Sequence, residues 1–167
     1  MNKTKLTRWG RSERGAAAVE FALVLPVLLL VVGGAIEFGR AFWFYDSLAK
    51  VTRDAARYLT MVKCNAGESA SDCNVRLVNV VANAKGMVTT AATAAGLSDF
   101  DDTKVEVRCD GSLCSAPAAV LGSTYVTVAV VDYGIRLGEW LPIGYLGEAA
   151  GYNLGIQPYT TMRYMGG

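Results

Sequence analysis

The chain has 167 residues, 16 Lys and Arg against 15 Asp and Glu, no histidine, and 52% hydrophobic residues. This length suits one small domain plus one anchor, and a net charge of +1 with the later basic residues interleaved with acids argues against a nucleic-acid partner. The missing histidine removes the usual general base and the commonest metal ligand from any enzyme reading.

The first residues form a basic head, in which Lys3, Lys5, Arg8, Arg11 and Arg14 stand against Glu13 as the only acid. From Ala16 to Ile36 the only ionisable side chain is Glu20. At about 1.5 Å rise per residue this run covers roughly the 30 Å hydrocarbon core of a bilayer. A basic flank keeps an N-terminus cytoplasmic, so the remainder of the chain is expected outside. A carboxylate at depth costs about 2.5–3.5 kcal/mol on insertion scales, and Glu20 therefore requires a partner or a purpose. The alternative for Glu20 is a position near enough to the membrane face to be solvated or protonated.

Gly15, the small residues Ala16-Ala17-Ala18, Glu20-Phe21, Pro26, and Glu37-Phe38-Gly39-Arg40 just past the span continue into Asp54-Ala55-Ala56-Arg57-Tyr58. This pattern resembles the processing site of type IV-like prepilins and, more narrowly, the TadE-like pseudopilins of tight-adherence (Tad/Flp, type IVc) pilus systems. The strong likeness covers about residues 14 to 60; downstream it is looser, resting on a late Val-Thr-rich strand and on Thr160-Thr161-Met162-Arg163. The resemblance implies cleavage between Gly15 and Ala16 by a prepilin peptidase, with the apolar segment retained. It also implies that Glu20 neutralises the new amino terminus of a neighbouring subunit and that Phe21 and the aliphatic run pack between helices. Such a pair sets axial register, because a buried charge is tolerated only where its partner is present. The partners implied are the membrane, the prepilin peptidase, a major Flp-type pilin with other minor pseudopilins, and the inner-membrane assembly platform. The implied location is the bacterial inner membrane in a single pass, with a periplasmic C-terminal domain. An ordinary secretory signal is the competing reading of Leu23 to Ile36, with Gly33-Gly34-Ala35 as its small-residue end.

All four cysteines, Cys64, Cys73, Cys109 and Cys114, follow the span, where an oxidising compartment lets disulfides persist. The spacings favour the local pairs Cys64 with Cys73 and Cys109 with Cys114, and a crossed pairing stays open. Zinc is the alternative, but these spacings match no strong finger pattern, and no metal or cofactor is assigned.

Past the span the helix is expected to run on to about Met61, with Phe38, Phe42, Tyr45, Leu48, Thr52, Ala55, Leu59 and Val62 forming its apolar face. Phe42-Trp43-Phe44-Tyr45 reads as an interfacial aromatic belt or as core of the outer domain. Pro26 is a candidate kink, loosened further by Gly33-Gly34. Asn74 to Leu97 reads as a second helix with Val75, Val78, Val81 or Ala82, Lys85 and Val88 or Thr89 on an imperfect stripe and Gly96 as its stop. Ser98-Asp99-Phe100-Asp101-Asp102 reads as a solvated polar turn in preference to a calcium loop.

The period then changes to two. Lys104–Arg108 and Tyr125–Val131 read as strands, and Gln157–Tyr164 as a last one. The stretch from Gly134 to Gly155, with Pro142 and an apolar turn around Trp140-Leu141-Pro142-Ile143, reads as an irregular excursion. The expected fold is α+β, a long N-terminal helix packed on a small antiparallel sheet with a second helix. Its divisions are a leader to residue 15, a membrane segment 16–36, a helical continuation 37–62 and a periplasmic domain 63–167. No G-x-S-x-G elbow or P-loop is present, and neither an enzyme nor a small-molecule substrate is indicated. The functional expectation is a minor pseudopilin that primes, assembles or caps a pilus. The alternative is an unprocessed, single-pass anchored binding or adhesin domain using Trp140, Tyr145, Tyr152 and Tyr159.

Overall fold

A computed structural model describes residues 13–114, 116, 118–138 and 152–165. The basic head up to residue 12 and the apolar turn at Trp140–Ile143 lie outside the described residues. Helix α1 runs unbroken from Glu13 to Thr60, through Pro26 and through Gly33-Gly34. Helix α2 follows from Ala70 to Ala94, and a single 3₁₀ turn, Asp102–Lys104, leads into strand β1, Val105–Cys109. β2 is Ser112–Leu113, α3 is the short turn Ala119–Gly122, β3 is Tyr125–Val130, β4 is Tyr133–Leu137, β5 is Tyr152–Ile156 and β6 is Tyr159–Arg163. Four strands form one antiparallel sheet in the order β2-β1-β3-β6, and β4 and β5 form a separate two-stranded ribbon. The expected α+β architecture is the one observed.

Alternation in the strands decides which face is covered. Val105 and Val107 of β1 and Val126, Val128 and Val130 of β3 are buried, while Glu106 and Arg108 lie on the other side, joined by an ion pair of 2.8 Å. The buried face meets α1 and α2, which supply Leu48, Ala55, Ala56 and Leu59 from the first and Leu77, Ala84, Val88 and Ala92 from the second. Alanines on both helices let the backbones approach closely, so two helices cover one small sheet in two layers. Thr52, fully buried between them, keeps its hydroxyl satisfied by donating to the Ala49 carbonyl at 3.0 Å and meeting the Thr160 hydroxyl at 3.3 Å.

The helix faces differ from those the sequence suggests. On α1 the buried line is Glu37, Ala41, Phe44, Leu48, Thr52, Ala55 and Leu59, whereas Phe38, Phe42 and Tyr45 are exposed. Its steps alternate between three and four residues as a covered helical face requires, and small Ala41 lets β4 approach where the larger aromatics would not. Of the aromatic group, Phe44 is core and Phe42, Trp43 and Tyr45 are exposed. Helix α2 begins four residues earlier than expected, because Ser69 caps it by accepting the Asp72 amide at 3.1 Å. Its buried stripe is Cys73, Leu77, Val80, Ala84, Val88 and Ala92, and Val75 and Val78 face outward. Gly96 supplies the left-handed turn (φ +99°) just beyond its end.

The largest correction concerns residues 134–155. Gly134–Leu137 and Tyr152–Ile156 are not irregular but belong to β4 and β5, which pair from Tyr133 with Ile156 to Leu137 with Tyr152. β3–β4 and β5–β6 are thus the arms of one long hairpin with a break in the middle. Between the pairs Ala129 with Tyr159 and Tyr133 with Ile156, the first arm carries Val130, Val131 and Asp132 and the second only Gln157 and Pro158. That extra residue is a β-bulge, with Asp132 in the left-handed region (φ +48°) and Pro158 unable to donate to the ladder. The bulge bends the hairpin and separates ribbon from sheet. The connection 139–151 lies outside the described residues.

Both disulfides are local, Cys64 with Cys73 and Cys109 with Cys114. The second closes a tight β1–β2 hairpin, whose Asp110 (φ +50°) accepts the Thr124 and Tyr125 amides and so ties the turn to β3. The first joins the loop that follows α1 to the first turn of α2. Replacing Cys64 and Cys73 together by serine is expected to destabilise the α+β domain by about 2–3 kcal/mol, lowering its melting temperature by roughly 10 °C or more, as followed by circular dichroism.

Candidate functional site

The sheet and α2 cover only the distal half of α1. From Gly15 to Ile36 no residue is buried, and Phe21, Leu23, Val27 and Leu30 are all more than half exposed. Helix, length and composition suffice to cross a membrane, and none of the most apolar window is covered by the rest of the chain. Exposing such a surface to water would forfeit about 25 cal/mol for each Å² left wet, so a bilayer or other apolar helices must take it up.

Gly15 and Ala16 lie on the first exposed turns of α1, and a side chain at Gly15 would meet no other atom within 4 Å. Glu20 lies one turn beyond Ala16, exposed and without a hydrogen bond or ion pair among the described residues. Phe21 beside it is 65% exposed. The fold therefore presents these four residues outward and away from its own domain. It also leaves Pro26 within continuous helix, where the missing amide is absorbed without a break.

At the other end of the apolar run the chain changes character within one turn. Glu37 is buried and pairs with Arg40 at 3.2 Å; Arg40 in turn donates to the Arg136 carbonyl of β4 at 3.3 Å and stands 6.0 Å over the Phe44 ring. The Glu37-Phe38-Gly39-Arg40 segment thus fastens the ribbon to the helix where the bare span ends. Sequence reasoning marked this segment without finding its role, because the partner is a backbone carbonyl 96 residues away.

Displaced ionisations elsewhere are explained by contacts within the fold. Arg76 donates to both carboxylate oxygens of Glu68, holding that carboxyl below its usual range, and also reaches the Lys63 carbonyl at 2.6 Å. Cys64, Glu68 and Cys73 lie close enough to suggest a metal, but both thiols are consumed by their disulfide and Glu68 by Arg76. The Thr103 hydroxyl and amide hold Asp101 below the carboxylate range. Burial, then the hydrogen bond to Asp99 at 2.8 Å, pushes the Tyr133 phenol well above its ordinary value, so Asp99 serves the fold. Burial likewise raises Tyr164, whose hydroxyl donates to the Val62 carbonyl.

One long helix among the described residues, bare and apolar through its first half and covered by an α+β domain through its second, supports membrane anchoring. Residues 15–57 match the model of the family described as TadE-like protein. The resemblance read from the sequence is thereby shown over the long helix, and the match ends before α2 and the sheet. No curated protein and no solved structure matches the chain significantly.

Proposed function

We propose that this protein is a minor pseudopilin of a Tad-type (type IVc) pilus, anchored in the inner membrane and acting when the pilus is primed, assembled or capped. The observation that carries this reading is the family match over residues 15–57 on a helix whose matched apolar half is left bare by its own domain. In this role a prepilin peptidase removes the basic head between Gly15 and Ala16. The new α-amino group at Ala16 then offers a charge to Glu20 of an adjoining subunit, which has no ion-pair partner among the described residues of its own chain. Phe21 and the aliphatic residues that follow supply the helix-packing surface, first to lipid and then to neighbouring pilin helices. The outer domain, closed by two disulfides, is the part held in the periplasm, in keeping with an oxidising compartment.

The activity assigned is structural, and no chemical step is attributed to the chain. The major Flp-type pilin, companion minor pseudopilins and the assembly platform are the proposed partners. The experiment that tests the reading is identification of the mature N-terminus, which it places at Ala16 and makes dependent on the peptidase.

A further inference from the structure

The geometry points to a second membrane contact: the β4–β5 ribbon, at the level of Arg136 and the paired Leu137 and Tyr152, rests in the lipid headgroup layer of the bilayer that α1 crosses. This rests on the membrane-anchor reading of residues 16–36 and adds an orientation to it. Three contacts fix how the bent hairpin lies along α1. The Met165 amide donates to the Thr60 carbonyl at 3.3 Å, Thr160 meets Thr52, and the Arg136 carbonyl accepts from Arg40. Strand positions therefore descend with helix positions, and β4 travels toward the membrane end of the helix.

The level it reaches follows from helix rise. Arg40 lies four residues past Ile36, about 6 Å along the axis. The headgroup region on each side of a bilayer is about 5–8 Å thick, the difference between a core of about 30 Å and a full thickness of about 40–45 Å. A strand hydrogen-bonded to Arg40 is thus already within that layer. The side chains at this level suit it. Phe38, Phe42 and Trp43 of α1 are 69%, 65% and 53% exposed, and Arg136 of β4, tied through its carbonyl to Arg40, is exposed as well. Aromatic rings and a guanidinium are the groups that headgroup carbonyls and phosphates accept. The chain leaves β4 after Leu137 and returns at Tyr152, paired residues at this same end. The occupant of the surface is accordingly the anionic phospholipid interface, and the outer domain lies against the membrane instead of standing away on a stalk.

The test places a single tryptophan on the outer face of the hairpin at two heights. Arg136→Trp and, separately, Thr161→Trp are made in the full chain with Trp9, Trp43 and Trp140 replaced by Phe, and each is reconstituted in phosphatidylethanolamine–phosphatidylglycerol vesicles containing a headgroup-spin-labelled lipid. Loss of most of the fluorescence at 136 with none lost at 161 is expected. Equal, weak quenching at both positions in protein that resists alkaline carbonate extraction would overturn the second contact while leaving the anchor intact. Release of the protein by carbonate would overturn the anchor reading and this inference with it. Circular dichroism confirms that each variant is folded before quenching is read, and a variant that fails is replaced by Asn153→Trp, opposite Arg136 in the ribbon, or by Tyr159→Trp, two residues from Thr161.

Discussion

Glu20→Ala is expected to reduce incorporation of the protein into pili by about a hundredfold or more. Membrane insertion and the melting of the outer domain should both stay unchanged. The size follows from the cost of leaving one member of a buried charge pair alone, about 3–5 kcal/mol, with each 1.4 kcal/mol worth about a factor of ten. The selectivity follows from the fold, because Glu20 touches nothing in its own domain and stands far from the covered half of α1. Removing the carboxylate makes the span more apolar, so insertion is favoured if anything. Quantifying the protein in sheared pili and in membranes by immunoblot checks the result. Normal incorporation of the alanine variant would remove Glu20 from any role in register.

Leu59→Ala should produce the opposite pattern. Leu59 is fully buried where α1 meets α2 and the sheet, so truncation leaves a cavity that a fixed helix and a disulfide-tied neighbour close poorly. A loss of about 2–5 kcal/mol is expected from a domain whose total stability is of order 5–15 kcal/mol. Chemical denaturation of the outer domain, followed by far-UV circular dichroism, should show the midpoint displaced to lower denaturant. Processing at the distant N-terminal end should continue, since Gly15 and Ala16 belong to the bare half of the helix. A midpoint equal to that of the unaltered protein would mean that Leu59 is not a core residue. Together the two variants separate the assembly surface from the fold.

The parts legible in the sequence were those set by local pattern. An unbroken apolar run with one acid declares a membrane-length helix, and the β-branched alternation of Tyr125–Val130 declares a half-buried strand. The nearness in sequence of each cysteine to its partner favoured the two disulfides observed. What escaped was decided by tertiary contacts. The stripe Cys73, Leu77, Val80, Ala84, Val88 and Ala92 takes the covered face of α2, so Val75 and Val78 point outward although their spacing is helical. The ribbon in 134–155 was obscured by Gly134 and Gly155, which pair across its two strands, and by the bulge at Asp132 and Pro158 that interrupts the period. Asp99 looked like part of a solvated turn because its partner, Tyr133, is 34 residues away. At the candidate site Gly15, Ala16, Glu20 and Phe21, the residues proposed for processing and assembly, stand out as motif, whereas the Glu37–Arg40 clasp needed the position of β4.

On the function proposed, the chain becomes a pseudopilin by losing its basic head and keeping its apolar helix. The most direct test of this is terminal sequencing together with intact mass of the protein from membrane fractions, with and without the co-expressed prepilin peptidase. A mature terminus at Ala16 that appears only with the peptidase is the predicted result. A terminus at Met1 in both preparations would instead describe an unprocessed anchored domain, and one near Ile36 would describe an exported protein without its anchor; either contradicts the account.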